Sequence, residues 1–159
     1  MSKIRRVAII GGNRIPFMRS NTAYSYASNM DMLSATLQGL VRRFDLEGER
    51  LGEVAAGAVM KHSRDFNLAR EATLNSGLAL ETPAYDIQQA CGTGLEAAIL
   101  VANKVALGQI DAGIAAGTDT ASDAPIALNE NYRRMILDLN RAKTLVARLK
   151  ILMRFRPSF

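Results

Sequence analysis

An α/β layered fold, built on a largely parallel sheet with helices on both faces, is what this 159-residue sequence predicts. Three observations carry the prediction. Short apolar runs rich in β-branched residues alternate with longer stretches whose apolar residues recur at helical spacing. Glycines stand where those runs and stretches end. The apolar share of 48% and charged share of 22% suit a globular chain long enough to bury a core.

In chain order, IRRVAIIGG (4–12) predicts a buried first strand ended by glycines. NRIPFMRSNTAYSYASN then predicts a loop, because Pro16 excludes regular structure around it. Ser28 or Asn29 is a candidate cap for a helix over 30–44, where Met30, Leu33, Leu37, Leu40, Val41 and Phe44 fall on one face. EVAAGAVM (53–60) predicts a second strand, and NLAREATLNSGL (67–78) a helix closed by Gly77. AYDIQQA (84–90) predicts a third strand, followed by a helix over 92–107 closed by Gly108. DAGIAAGTD (111–119) predicts a fourth strand, so the α/β part reads βαβαβαβ. The pattern stops near Pro125, and 129–154 predicts one or two basic amphipathic helices. The domain reading is therefore an α/β domain over 1–127 and a basic helical segment over 128–159. RFRPSF ends the chain without a closing element, which predicts an incomplete chain.

The charge is uneven. In 128–159 eight Lys or Arg stand against two acids, a surplus of six, while the whole chain is +5. The basic balance belongs to that segment and not to the fold. A basic amphipathic helix packs on its own domain, lies on an anionic membrane or a partner, or faces the phosphates of a nucleotide-like ligand. Little aromatic interleaving argues against nucleic acid as that partner. The apolar run at the start is too short for a signal h-region plus cleavage site and no later run approaches a membrane span, so a cytoplasmic protein is expected. One cysteine excludes an internal disulfide and fits a reducing compartment. IIGGN lacks the G-x-G-x-x-G spacing of a phosphate loop, and Asp119 and Asp123 alone make no metal site.

That single cysteine, Cys91, is the candidate for chemistry. It stands between the third strand and the next helix, where open α/β sheets gather their reactive groups. A helix start offers unpaired N–H groups and the positive end of the dipole, both favouring a thiolate. Gly92 and Gly94 remove bulk around the sulfur, as in a strand-to-helix turn that exposes a nucleophile. From position alone, a small buried hydrophobic residue is the competing reading.

QQACGTGLEAAILVANKVALGQIDAGIAAGTDTASDAP resembles the nucleophile segment of the thiolases, the acetyl-CoA acetyltransferase and 3-ketoacyl-CoA thiolase family. There a Cys-Gly-Ser-Gly-like motif opens a helix and a glycine-rich strand and turn follow. NRIPF is similar to the family's Arg-Thr-Pro-Phe signature, and GAVMKHSRDFNLAREATLNSGL to its second strand and Asn-x-x-Arg helix. ILDLNRAKTLVARLKILMRFR resembles the start of the loop domain in the degradative thiolases of the trifunctional complexes. Thr93 replaces a frequent serine, and GTDTASDAP replaces the usual GGTESMSNAP-like string.

The resemblance implies that Cys91 accepts the acyl group of a 3-ketoacyl-CoA and passes it to free coenzyme A. Its backbone N–H would serve as an oxyanion donor. It implies no permanently bound cofactor, coenzyme A as a substrate, and a homo-oligomer or a β-oxidation partner subunit. The basic helices over 129–154 would touch coenzyme A, a partner subunit or a membrane surface. The family takes its base and second acid from a Gly-His-Pro histidine and a second cysteine, and neither motif occurs here. The one histidine, His62, aligns with no catalytic position and is expected at the surface or an interface. The chain thus reads as the N-terminal half of a thiolase plus the opening of its loop domain, with a nucleophile and no activating groups. The other readings are a non-catalytic remnant that docks through its basic helix, and a ketosynthase or 3-hydroxy-3-methylglutaryl-CoA synthase relative. NRIPF and NLAREATLNSGL argue against the latter.

Overall fold

The structure is a computed structural model that describes residues 4–154. Most of the terminal RFRPSF stretch lies outside the described residues. The chain divides into two compact units, Met1–Pro125 and Ile126–Phe159.

In the first unit, α1 (Asn29–Arg43) opens with Ser28, whose hydroxyl accepts from the Asp31 backbone N–H. Asp31 reaches back to the Ser28 backbone N–H at 2.9 Å, closing a capping box. The sequence offered Ser28 or Asn29 for this role. Ser28 takes it, while Asn29 is a buried helical residue whose Nδ2 donates to the Met60 carbonyl at 2.8 Å. β1 (Glu53–Ala56) follows, then a 3₁₀ turn (Ser63–Asp65), α2 (Leu68–Leu74) and β2 (Ala84–Asp86). Gly77 adopts φ +95 just past α2, as expected of a glycine that closes a helix. α3 (Thr93–Ala106) ends before Gly108, which adopts φ +73, and β3 (Gly113–Ala115) completes the unit.

The three strands form one parallel sheet in the order β2-β1-β3, with Val54 beside Ala84 and Ile114. Parallel pairing follows from the intervening helices, since each crossover returns the chain to the same end of the sheet before the next strand starts. β1 is buried on both faces, and its alternation divides the core. Val54 and Ala56 pack with Leu33, Leu37 and Val41 of α1 and with Leu68, Ala69 and Ala72 of α2. Ala55 packs on the opposite face with Ala97 and Val101 of α3. On that face Glu53 is buried and accepts from Lys104 of α3 and from the Tyr85 hydroxyl at 3.2 Å. The hydrogen bond to Glu53 raises the Lys104 pKa, and burial raises that of Tyr85.

One predicted element does not form. Residues 4–19 contain no strand, and Ile4, Ile9 and Ile10 are exposed. The βαβαβαβ reading therefore loses its first strand, and the four predicted strands become three. A β-branched run favours extended backbone, but a strand exists only where a neighbour completes its ladder. Here the Arg5 N–H donates to the Ala106 carbonyl at 2.9 Å, and no strand is paired to the segment among the described residues.

In the second unit, α4 (Glu130–Arg141) and α5 (Leu145–Leu152) pack on each other, so the basic segment forms two helices. Asn129 caps α4 and Thr144 caps α5. Glu130 bonds Arg133 and Arg134 within the first turn of α4 at 2.8 Å. Those two guanidiniums, Arg133 first, hold the Glu130 carboxyl down at about 2.

Candidate active site

The carboxyl ends of all three strands meet around the start of α3. Beyond the strands proper, the Ile87 N–H donates to the Ala56 carbonyl and the Ala116 N–H to the Ala55 carbonyl, both at 2.9 Å. The Thr118 N–H reaches the Gly57 carbonyl at 3.0 Å. Two glycines permit this convergence. At Gly57 a Cβ would overlap the Ile87 carbonyl oxygen and press on Thr93 Cγ2. At Gly117 a Cβ would lie 3.2 Å from the Gly94 Cα. Both are places where backbone approaches backbone, a role that a glycine inside a strand pattern signals in sequence.

Cys91 lies at this junction and is exposed. The preceding residue, Ala90, adopts φ +43, a left-handed conformation that a residue with a Cβ rarely takes. The strain of the strand-to-helix turn therefore falls one residue before the sulfur. Gly92 is the N-cap position of α3, and no side chain caps that terminus. No side chain accepts from the first-turn N–H groups, and those of Gly92 and Thr93 donate to the Gln89 and Ala90 carbonyls of the turn at 2.9 and 3.2 Å. At Gly94 a Cβ would meet nothing within 4 Å, so the glycine leaves open space next to the turn.

The other polar groups singled out in the sequence are occupied. Asp119 accepts from the Val59 and Met60 backbone N–H groups at 2.9 and 3.0 Å, tying the loop after β3 to the loop after β1. His62 is half-buried, its Nε2 lying 3.0 Å from the Asp123 carbonyl and 3.3 Å from the Asp123 carboxylate. Arg64 also pairs with Asp123. Asp119 and Asp123 are thus loop fasteners, a role their sequence spacing did not announce. Among the described residues no three His, Cys, Asp or Glu gather as a metal would require. A cleft of about 330 Å³ between α4 and α5 is lined by Asn131, Arg134, Met135, Asp138, Ile151 and Arg154, none of them from the Cys91 turn.

The family profile for the thiolase N-terminal domain matches residues 7–152. The chain belongs to the thiolase family. This thiolase-family chain is 36% identical over 156 residues to the mitochondrial trifunctional enzyme subunit beta of Rattus norvegicus, covering 98% of the chain and 33% of that relative. It is 36% identical over 151 residues to a 3-ketoacyl-CoA thiolase of Photorhabdus laumondii, covering 95% of the chain and 35% of that relative. It thus spans about a third of the length of the curated relatives it matches. In three dimensions it resembles the acetyl-CoA acetyltransferase of Bacillus anthracis, with a TM-score of 0.65 and 26% identity over 76% of this chain and 29% of the other. That likeness extends to the mixed architecture of a small parallel sheet with helices.

Proposed function

We propose that this chain carries the nucleophile of an acyl-CoA acyltransferase that cleaves 3-ketoacyl-CoA thiolytically, or runs the reverse Claisen condensation, in fatty-acid β-oxidation. The observation that carries this reading is the placement of the one cysteine. In a chain of the thiolase family, Cys91 is exposed at an uncapped helix start where three strand ends converge. In the first half-reaction the Cys91 thiolate adds to the C3 carbonyl, and charge develops on that oxygen beside the amide groups of the turn. Collapse breaks the C2–C3 bond. The electron pair stays on C2, which takes a proton, and acetyl-CoA departs. The acyl thioester on Cys91 is then attacked by the thiolate of coenzyme A, which releases the shortened acyl-CoA and the free cysteine.

His62, the one histidine, is committed to Asp123 and supplies no base to Cys91. The groups that ionise Cys91 and protonate C2 are therefore assigned outside these 159 residues. Coenzyme A enters as a substrate, with no resident cofactor. Residues 1–127 are the α/β domain and 128–159 open a basic loop domain in this proposal. It further places the protein in the cytoplasm, as a homo-oligomer or joined to a β-oxidation partner subunit. Among the described residues no helix is long and apolar enough to cross a membrane.

Intact mass after incubation with acetoacetyl-CoA tests the reading, with Cys91→Ala as control. The incubation is run at about pH 9, where thiols ionise without a base and solvent supplies the proton to C2, so that one acetyl group on the parent chain and none on the variant is the expected result. No adduct on a chain shown to be folded overturns it. That result favours a second reading, a non-catalytic chain docking on a partner or membrane through α4 and α5. The second reading draws on Leu145, Val146, Leu149 and Leu152, which are exposed on a basic helix.

A further inference from the structure

Thr93 is the first residue of α3, and its side chain is buried although the turn before it is exposed. Its hydroxyl does two things at once. It accepts from the Gln89 backbone N–H at 2.9 Å and donates to the Ala90 carbonyl at 2.8 Å. These two groups flank Ala90, the residue held at φ +43 immediately before Cys91. The Thr93 methyl end packs toward Gly57, so the same side chain also fastens the turn to the end of β1. A left-handed alanine persists only where its surroundings over-determine it. Among the described residues Thr93 supplies the side-chain bonds that do so, while the Gly92 N–H to Gln89 carbonyl bond of 2.9 Å and the Thr93 N–H to Ala90 carbonyl bond of 3.2 Å supply backbone ones.

We propose that Thr93 is a positioning residue for Cys91. Its hydroxyl locks the peptide between Ala90 and Cys91 and so keeps the sulfur and its backbone N–H at the start of α3. This deepens the reading of Cys91 as the acyl-accepting nucleophile and rests on it. With the hydroxyl removed, Ala90 relaxes to negative φ and Cys91 swings away from the open end of the helix. The thiolate then loses the dipole and N–H groups that favour it. A serine at this place keeps the hydroxyl and is expected to keep the lock.

The test is the rate and pH profile of Cys91 alkylation by iodoacetamide in the parent, Thr93→Val and Thr93→Ser chains. The sulfur displaces iodide and its proton goes to solvent, so no group beyond this chain is needed. Thr93→Val is expected to slow alkylation at neutral pH by about 30-fold, the effect of two lost hydrogen bonds, and to move the profile to higher pH. Thr93→Ser is expected to restore both to the parent's values. A Thr93→Val chain that folds and alkylates with the parent's rate and profile overturns the proposal. Hydrogen exchange on the parent keeps it testable if that variant does not fold. The Gln89 amide, donated to Thr93, is expected to exchange slowly, and exchange at the rate of an open chain overturns the proposal. Acylation by acetoacetyl-CoA reads the nucleophile separately. An alkylation difference without acylation retains the positioning role and sinks the acyl-transfer reading, whereas acylation without that difference sinks Thr93.

Discussion

Gly57 follows β1 beside Ile87, the residue just past β2, and there is no room there for one more carbon. The obstacle is a carbonyl oxygen, which cannot rotate away as a side chain can. Gly57→Ala is therefore expected to destabilise the chain by about 3 kcal/mol, read by denaturant unfolding, because the strand must shift to relieve the overlap. Gly94→Ala is the contrast, since its Cβ would enter open space. Equal destabilisation by the two substitutions would contradict this account. The same distinction explains what was legible at single residues. Cys91 announced itself by standing alone between a strand pattern and a helix pattern. Thr93, Ala90 and Asp119 did not, because a hydroxyl, a left-handed φ and a carboxylate that fastens two loops leave no mark in the sequence.

At the scale of elements, local chemistry set the helices. Ser28 and Asp31 box the start of α1, and the Ser28 hydroxyl bond lowers the Asp31 pKa. α4 depends on charge in the same way. Glu130 has its pKa lowered from 4.5 to about 2, chiefly by Arg133 and next by Arg134. A carboxyl whose folded pKa is depressed adds stability above its unfolded value and loses it as pH falls through the folded one. The helical signal of α4 is thus expected to hold above pH 4.5 and to decline toward pH 2. A carboxyl NMR titration of Glu130 would check the midpoint, and Glu130→Gln should abolish this part of the pH dependence. Salt should raise the midpoint, because these pairs are exposed. A Glu130 midpoint at the ordinary carboxylate value would remove the basis of this prediction.

For the whole molecule, the exposed apolar residues matter most. Ile9, Ile10 and Phe17 lie on the segment before α1, and Leu95 and Ile99 lie one turn apart on α3. Exposure of this kind marks an interaction surface or an aggregation hazard. The 159-residue chain on its own is expected to self-associate or to require a partner. Sedimentation velocity would show this, and Leu95→Glu combined with Ile99→Glu should raise the monomer fraction. A cooperatively folding monomer would contradict the prediction.

The sequence by itself determined the fold class, the family, three helices near their observed bounds, the helical character of 129–154 and the junction at which Cys91 stands. Those features rest on periodicity, caps and motifs, which act over a few neighbouring residues. It misread 4–12 as a buried strand, since a β-branched run specifies an extended backbone and not the neighbour that would make it a strand. Only the tertiary structure decided the strand order β2-β1-β3, the backbone convergence at Gly57 and Gly117, and the hold of Thr93 on the turn before Cys91. Each is a meeting of groups held in register by packing, and packing is settled by the whole core rather than by any stretch of chain.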